Sequence, residues 1–67
     1  MQITQHAINR MNERFQKYNF WQIYELVEEA LKYGQISQDG NRITLGDITC
    51  VVYSRNRNPK LITLWPN

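Results

Sequence analysis

Three turn-forming segments divide the second half of the chain and constrain its fold more than any other feature. Asp39-Gly40 is typical of a type I′ hairpin, Gly46-Asp47 is typical of a type II′ hairpin, and residues 55–59 read as a longer loop. The sequence therefore predicts a four-stranded β-meander, with strands at about 35–38, 41–45, 48–54 and 60–65.

The three turns agree on which residues share a face of this sheet. The second turn pairs Ile43 with Cys50. The longer loop pairs Cys50 with Leu64, and it also pairs Val52 with Ile62. One face is then wholly apolar, and at least one helix must pack there; it holds Ile36, Ile43, Leu45, Ile48, Cys50, Val52, Ile62 and Leu64. The other face holds Gln35, Ser37, Arg42, Thr44, Thr49, Val51, Tyr53, Leu61, Thr63 and Trp65.

The first half of the chain reads as two helices after an extended lead-in at residues 1–3. Thr4 is the expected N-cap of a helix at about 5–16, and Asn19 is the expected N-cap of a second helix at about 20–33. The second helix carries apolar residues at the spacing of a core-facing stripe, namely Phe20, Ile23, Tyr24, Val27, Ala30 and Leu31. We therefore predict an α+β fold in which two N-terminal helices precede a four-stranded antiparallel sheet, within a single domain spanning 1–67.

Bulk properties exclude several classes of protein. Cys50 is the single cysteine, so there is no internal disulfide framework, and its position in an apolar run predicts a buried thiol. No apolar stretch approaches the roughly 20 residues of a membrane helix, and no signal-peptide pattern opens the chain, so we expect a cytoplasmic protein. A net charge of +2 is weak for a nucleic-acid module, which makes the placement of the cations more informative than their sum.

The first helix carries a histidine and two arginines along one side. His6, Arg10 and Arg14 follow one another at four-residue spacing, while the apolar residues fall on the opposite side; these are Ala7, Ile8, Met11 and Phe15. Two guanidinium groups beside an imidazole suggest an anionic partner such as a phosphate, with neutral His6 as a general base. The alternative is a solvated helix face, with Glu13 pairing to Lys17.

The polar face of the predicted sheet offers a second set of candidate contacts. Arg42, Tyr53, Thr63 and Trp65 share this face, and a cation, a phenol and an indole can hold a phosphate and stack a base. The alternative is ordinary cross-strand packing of good strand residues. The longer loop adds cations suited to a phosphate backbone, although many hairpin loops look similar; they are Arg55, Arg57 and Lys60.

Several familiar sites are absent from the sequence. There is no Gly-rich phosphate loop, no Ser/His/Asp or Cys/His set, and no paired carboxylate motif. Because no second histidine or paired cysteine accompanies His6, we expect neither a metal site nor a cofactor. The chemistry left open is metal-free attack on a phosphodiester.

The chain resembles a widespread family of small bacterial and phage domains that is placed with the RelE-like and barnase/EndoU/colicin-type ribonuclease toxins. The resemblance rests on a His-Ala-x-x-Arg-Met-x-x-Arg pattern, a Val-x-x-Ala-Leu helix that ends in Gly, and a closing Ile-Thr-Leu-Trp. The residues are His6, Ala7, Arg10, Met11, Glu13 and Arg14, then Val27, Ala30, Leu31 and Gly34, then Ile62, Thr63 and Trp65. The family usually has Gly-Ile after the second arginine, where this chain has Phe15-Gln16-Lys17-Tyr18.

This resemblance implies an α+β fold with the helices set against a four-stranded antiparallel sheet, and a metal-independent endoribonuclease site. Carried over to this chain, His6 is the acid/base, Arg10 and Arg14 hold phosphate, and Thr63 lines the site from the last strand. The expected partner is RNA, free or on the ribosome, or else a protein such as an antitoxin.

The same residues are consistent with two further hypotheses. The first is a non-catalytic module, such as a phage-type inhibitor, that binds a protein through the Arg42/Tyr53/Trp65 face. The second is a homodimer formed through Trp65. Every hypothesis about this face depends on where the helices lie. A helix packed on that side would make the face part of the core, and the candidate site would be reduced to His6, Arg10 and Arg14.

Overall fold

The computed structural model describes residues 1–53 and 58–67. Its elements are β1 (Gln2–Ile3), α1 (Gln5–Arg14), α2 (Phe20–Tyr33), β2 (Gln35–Ile36), β3 (Arg42–Leu45), β4 (Ile48–Tyr53) and β5 (Lys60–Pro66). The predicted α+β class is confirmed, and α2 has the predicted bounds. Helix α1 ends at Arg14, two residues earlier than predicted, because Phe15 leaves the helical region with φ −122° and ψ 46°. No helix within these residues is long and apolar enough to cross a membrane.

Both predicted helix N-caps are present. The Thr4 hydroxyl oxygen accepts a hydrogen bond from the Ala7 amide at 3.1 Å. The Asn19 side chain accepts from the Gln22 amide at 2.8 Å, and the Gln22 side chain accepts from the Asn19 amide at 2.9 Å. This reciprocal capping box satisfies amides that would otherwise lack partners at the start of α2.

Among the described residues the sheet has five strands rather than the four predicted, and it is mixed rather than antiparallel. Its order is β1-β5-β4-β3-β2, and β1 pairs in parallel with the start of β5. The pairing continues into the first helix cap, because the Thr4 amide donates to the Leu61 carbonyl at 3.1 Å. The Thr4 hydroxyl donates to the Ile62 carbonyl at 2.9 Å. A strand of two residues has too few positions for an alternation signal, so the sequence pattern indicates only an extended lead-in.

The predicted register is confirmed through most of the sheet, with the pairs Ile36–Ile43, Ile43–Cys50 and Cys50–Leu64 in place. Beyond Val51 the prediction is wrong, because Val52 pairs with Leu61 and not with Ile62. Ile62 is the extra residue of a β-bulge, and the shift turns Leu61 into the core, where it is 0% exposed. Ile36 also differs from the prediction, since it lies on the short edge strand and is exposed.

Both tight turns contain a glycine with positive φ, 81° at Gly40 and 57° at Gly46. At the first turn, the Ser37 amide donates to the Arg42 carbonyl at 2.9 Å, as the predicted pairing requires. Hydrogen bonds from the Ser37 hydroxyl and the Asn41 amide lower the pKa of the Asp39 carboxyl. The carboxylate therefore helps to define this turn.

Both helices pack on the same face of the sheet. Helix α1 lies over β5, and α2 lies over β3 and β4. The buried apolar side chains of the helical half join those of the strands in one core, formed by Ala7, Met11, Phe15, Ile23, Val27, Ala30, Ile43, Ile48, Cys50, Val52, Leu61 and Leu64. Phe20, which the apolar stripe places toward the core, is instead 39% exposed, and Tyr24 is partly exposed. The opposite face, which carries Arg42 and Trp65, is therefore left without a helix.

Cys50 is 0% exposed in this core, as the sequence predicts, and burial raises the pKa of its thiol to about 12. At pH 8 this leaves roughly one thiol in 10,000 ionised. We expect a disulfide reagent at pH 8 to modify the native protein at least about 100-fold more slowly than the protein in 6 M guanidinium. Equal rates in the two conditions would contradict the burial of Cys50.

Candidate functional site

The open face of the sheet is the surface that neither helix covers. Cross-strand pairing sets its side chains in two rows, in which Arg42, Val51 and Thr63 form one row and Thr44, Thr49 and Trp65 form the other. Side chains that are neighbours in such a row, on the same face of the sheet, are close enough to contact one another. The structure therefore brings Arg42, Thr63 and Trp65 to one surface, as the alternation predicts.

Arg42 and Trp65 interact directly across this face. The guanidinium carbon of Arg42 lies 5.8 Å from the centroid of the Trp65 ring, within the range of a cation–π interaction. Arg42 belongs to β3 and Trp65 to β5, so the side chain of Arg42 passes over β4. The pair holds an indole and a guanidinium group in a fixed relation on an otherwise open surface.

A chain of hydrogen bonds borders Trp65. The hydroxyl oxygens of Thr44 and Thr49 lie 3.1 Å apart, and the Thr49 hydroxyl donates to the Asn67 side-chain oxygen at 2.5 Å. The Asn67 side chain in turn donates to the Gly46 carbonyl at 2.9 Å. Asn67, which no sequence motif indicated, thus connects the end of β5 to the β3–β4 turn. Because Thr49 is only 4% exposed, the accessible polar groups at this end of the open face belong to Thr44 and Asn67.

Tyr53 and Lys60 lie opposite each other at the other end of the face. Tyr53 is 63% exposed, and Lys60 is also exposed. Tyr53 lies four residues along β4 from Thr49, the partner of Trp65, which is roughly 13 Å at about 3.3 Å per residue. The predicted contacts Arg55 and Arg57 lie outside the residues that the structure describes.

On α1, His6 and Arg14 are exposed and Arg10 is partly buried. Arg10 donates to the Glu13 carboxylate at 2.5 Å, so Glu13 pairs with Arg10 rather than with Lys17. This is a short-range pair near the surface of the helix. It partly occupies the guanidinium group of Arg10 and leaves His6 and Arg14 as the more accessible members of the stripe.

Thr63 is not placed with this stripe. It pairs with Val51 on the open face, whereas α1 packs over β5 with its apolar side chains in the core on the other face. The structure therefore separates Thr63 from the helix that carries His6, Arg10 and Arg14 by the thickness of the sheet. The four residues that the family resemblance joins in one catalytic site fall on two surfaces.

A cleft of about 380 Å³ lies where the end of α1 meets the end of the sheet. It is lined by Glu13, Arg14, Phe15, Gln16, Lys17, Tyr18, Leu26, Asp47, Ile48 and Pro66. The segment at 15–18, which replaces the Gly-Ile of the family pattern, forms one of its walls. Arg14 thus lies at the rim of a cleft that also contains Lys17, a residue the sequence did not mark as functional.

Within residues 1–53 and 58–67, no group of three His, Cys, Asp or Glu side chains is placed to hold a metal ion. No protein-family model, curated protein or solved structure matches this chain. The chemistry of the surfaces therefore carries the functional argument. The open face can stack rings and bind anions, and α1 offers an exposed imidazole with a nearby guanidinium group.

Proposed function

We propose that this chain is a small RNA-binding domain that takes a single strand across the open face of its sheet. The observation that carries the proposal is the Arg42 guanidinium group over the Trp65 ring, on a face that neither helix covers. Aromatic side chains on a sheet surface are a common platform for RNA bases, and the guanidinium group retains donors for a phosphate oxygen.

The polar surroundings of this pair support the same proposal. The Thr44, Thr49 and Asn67 side chains form a hydrogen-bonded edge beside Trp65, and Lys60 adds a cation at the far end. The spacing of roughly 13 Å between Trp65 and Tyr53 along the strands suits bases that are not stacked on one another. A single strand can splay its bases in this way, whereas a duplex buries them.

Cleavage is the finer part of the proposal, and it follows the RelE-like resemblance. It takes place at α1, on the other side of the sheet, in a part of the RNA that extends beyond the open face. His6 removes the proton of a ribose 2′-hydroxyl, whose oxygen attacks the adjacent phosphorus while the bond to the 5′-oxygen breaks. The leaving oxygen takes a proton from water, and the product ends in a 2′,3′-cyclic phosphate. Arg10, one turn from His6, and Arg14, roughly 12 Å from His6 along the helix axis, are the guanidinium groups of α1 that can offset charge on the phosphorane. Thr63, on the open face, has no part in this step.

Binding is tested with the two tryptophans as reporters, because Trp65 lies on the open face and Trp21 lies on α2. A 12-nucleotide single-stranded RNA of mixed sequence is titrated into Trp21→Phe, which retains Trp65, and into Trp65→Phe, which retains Trp21. We expect fluorescence quenching in Trp21→Phe alone, with an affinity that falls steeply as salt rises. No quenching in Trp21→Phe would overturn the proposal.

The dependence of affinity on salt distinguishes RNA binding from the second candidate function, which is a protein-binding module on the same face. The exposed phenol of Tyr53 and the indole of Trp65 favour that reading, since both rings are common at protein interfaces. An aromatic protein interface loses little affinity between 50 and 200 mM salt, whereas RNA binding loses much more. A purified partner that binds through Trp65 with a shallow salt dependence would favour the protein-binding module.

Cleavage is tested with wild type and His6→Ala, each incubated in EDTA with total RNA and with translating ribosomes. We expect fragments with 2′,3′-cyclic phosphate ends from wild type only, while His6→Ala keeps the RNA affinity of wild type because His6 is not on the open face. Intact RNA with both proteins would overturn the cleavage step and leave the binding proposal to its own test. Cleavage by His6→Ala at the wild-type rate would remove His6 from the mechanism.

A further inference from the structure

The outer side of α2 exposes a tryptophan that the core does not use. Trp21 is 68% exposed. At about 100° per residue it falls roughly opposite the core-facing side of the helix, which is formed by Ile23, Val27 and Ala30. The helical projection of the sequence is enough to predict that Trp21 is exposed, since position 21 lies outside the apolar stripe. A large apolar ring at such a position contributes little to the fold, and its neighbours decide whether it belongs to a contiguous apolar patch.

Two further aromatic rings surround Trp21. The Phe20 and Trp21 ring centroids lie 5.2 Å apart at an interplanar angle of 84°, and the Trp21 and Tyr24 centroids lie 5.9 Å apart at 60°. These are edge-to-face arrangements, which fix the rings relative to one another. We name Phe20, Trp21 and Tyr24 the aromatic patch; it is an arranged apolar surface at the first turn of α2.

Acidic residues continue the same side of the helix. Glu25, Glu28 and Glu29 are exposed, and they are three of the six acidic residues of the chain. The single ion pair within the described residues joins Arg10 to Glu13, so none of the three α2 carboxylates is in a salt bridge there. Lys32 is exposed on the same side of the helix, and three carboxylates with one ammonium group still leave this side negative. Trp21 and Glu29 are roughly 12 Å apart along the axis, and the ridge between them presents an aromatic anchor followed by negative charge.

We propose that this ridge is a docking surface for a cationic amphipathic helix of a partner protein. Charge complementarity selects that occupant, because the three carboxylates repel RNA and an anionic lipid surface and attract lysine and arginine. A second copy of this chain is disfavoured for the same reason, since two identical acidic ridges would repel. An apolar residue of the partner contacts the aromatic patch, and its cations meet the carboxylates at helical spacing.

This surface is separate from the one that the proposed function uses. Helix α2 packs on β3 and β4 from the core side, whereas Trp65 and Arg42 lie on the open face. The chain as a whole carries a net charge of +2, so attraction of a cationic helix has to come from the local charge of the ridge. The partner and RNA can therefore bind at the same time.

The test uses a synthetic 18-residue amphipathic peptide of leucine and lysine, and a control peptide with glutamate in place of lysine. Each is titrated at 50 mM salt into the full chain carrying Trp65→Phe, so that Trp21 alone reports. We expect a blue shift of the Trp21 emission with the lysine peptide and no change with the glutamate peptide. The same response to both peptides, or no response to either, would overturn the proposal.

Matched variants locate the binding. The three α2 carboxylates are removed together in the triple variant Glu25→Gln, Glu28→Gln, Glu29→Gln. We expect this variant to bind the lysine peptide at least about tenfold more weakly than wild type at this salt concentration. The control Glu13→Gln removes one carboxylate on α1 and should leave the affinity unchanged. Equal affinities of the triple variant and wild type would overturn the proposal. Added peptide should leave RNA bound to the open face. A failure of RNA binding therefore contradicts the proposed function, and a failure of peptide binding contradicts only the docking surface on α2.

Discussion

Replacing Gly34 with alanine is expected to destabilise the domain by about 3 kcal/mol. A Cβ at this position would lie 2.6 Å from the Ala30 carbonyl oxygen, 2.6 Å from the Ile43 side chain and 2.9 Å from the Thr44 carbonyl oxygen. Two of these atoms are backbone, one in α2 and one in β3, so the added methyl group can be accommodated only by moving the helix away from the sheet. The φ of Gly34 is −73°, so the close approach is the cause and not the backbone conformation.

Gly46→Ala is the matched control. Gly46 has a φ of 57°, and a Cβ there would meet nothing within 4 Å. The change should cost about 1 kcal/mol through backbone strain alone. Urea unfolding followed by circular dichroism gives both values under the same conditions. A loss for Gly34→Ala that is no larger than the loss for Gly46→Ala would contradict the close packing of α2 on β3.

The largest functional effect is expected at Trp65. If the open face binds a single strand, Trp65→Ala removes one stacking platform, which by analogy with other single-strand binders is worth about 1–3 kcal/mol. This corresponds to a roughly 5- to 150-fold weaker affinity for the 12-nucleotide RNA. Because Arg42 lies over the same ring, Arg42→Ala combined with Trp65→Ala should cost less than the sum of the two single changes.

Fluorescence anisotropy of a labelled RNA measures these affinities without relying on the tryptophans. Trp21→Ala provides the control, since it removes an indole of the same kind from the opposite side of the molecule. The urea midpoint of each variant shows that the fold persists. An equal loss of affinity in Trp21→Ala and Trp65→Ala would place the RNA elsewhere than on the open face.

The hairpins were predictable from the sequence because their signals are local. Each short turn fixes the register of its two strands, and an alternating pattern then determines which residues face the core. Cys50 is an example, since the registers set by two separate turns both place it on the apolar face of the sheet, and the structure buries it. The helix caps at Thr4 and Asn19 are likewise properties of four-residue segments.

The features that were missed depend on contacts between distant parts of the chain. Strand β1 exists because residues near the start of the chain pair with Lys60 and Leu61, and no local pattern encodes that. The bulge at Ile62 was missed because a pattern of alternation cannot include an extra residue. Its effect is large locally, since it exchanges Leu61 and Ile62 between core and surface.

The candidate catalytic set illustrates the same limit. Alternation correctly placed Thr63 on the face opposite the apolar one, and the periodicity of α1 placed His6 and Arg14 on its exposed side. Only the position of α1 relative to the sheet could show that these groups do not meet. Which face a helix covers is decided by packing, and the sequence offered one apolar sheet face without showing that both helices share it.

The link between β1 and β5 also determines the order in which this chain can fold. Thr4 and Ile62 are 58 positions apart, so their contact closes a very long loop, whereas the β3–β4 hairpin closes over a turn of two residues. Loop closure over long separations slows folding. We therefore expect the hairpins and α2 to form first, and α1 to dock last together with β1. On this basis the segment that carries His6 depends most on assembly of the whole, and we expect a local opening to release it first.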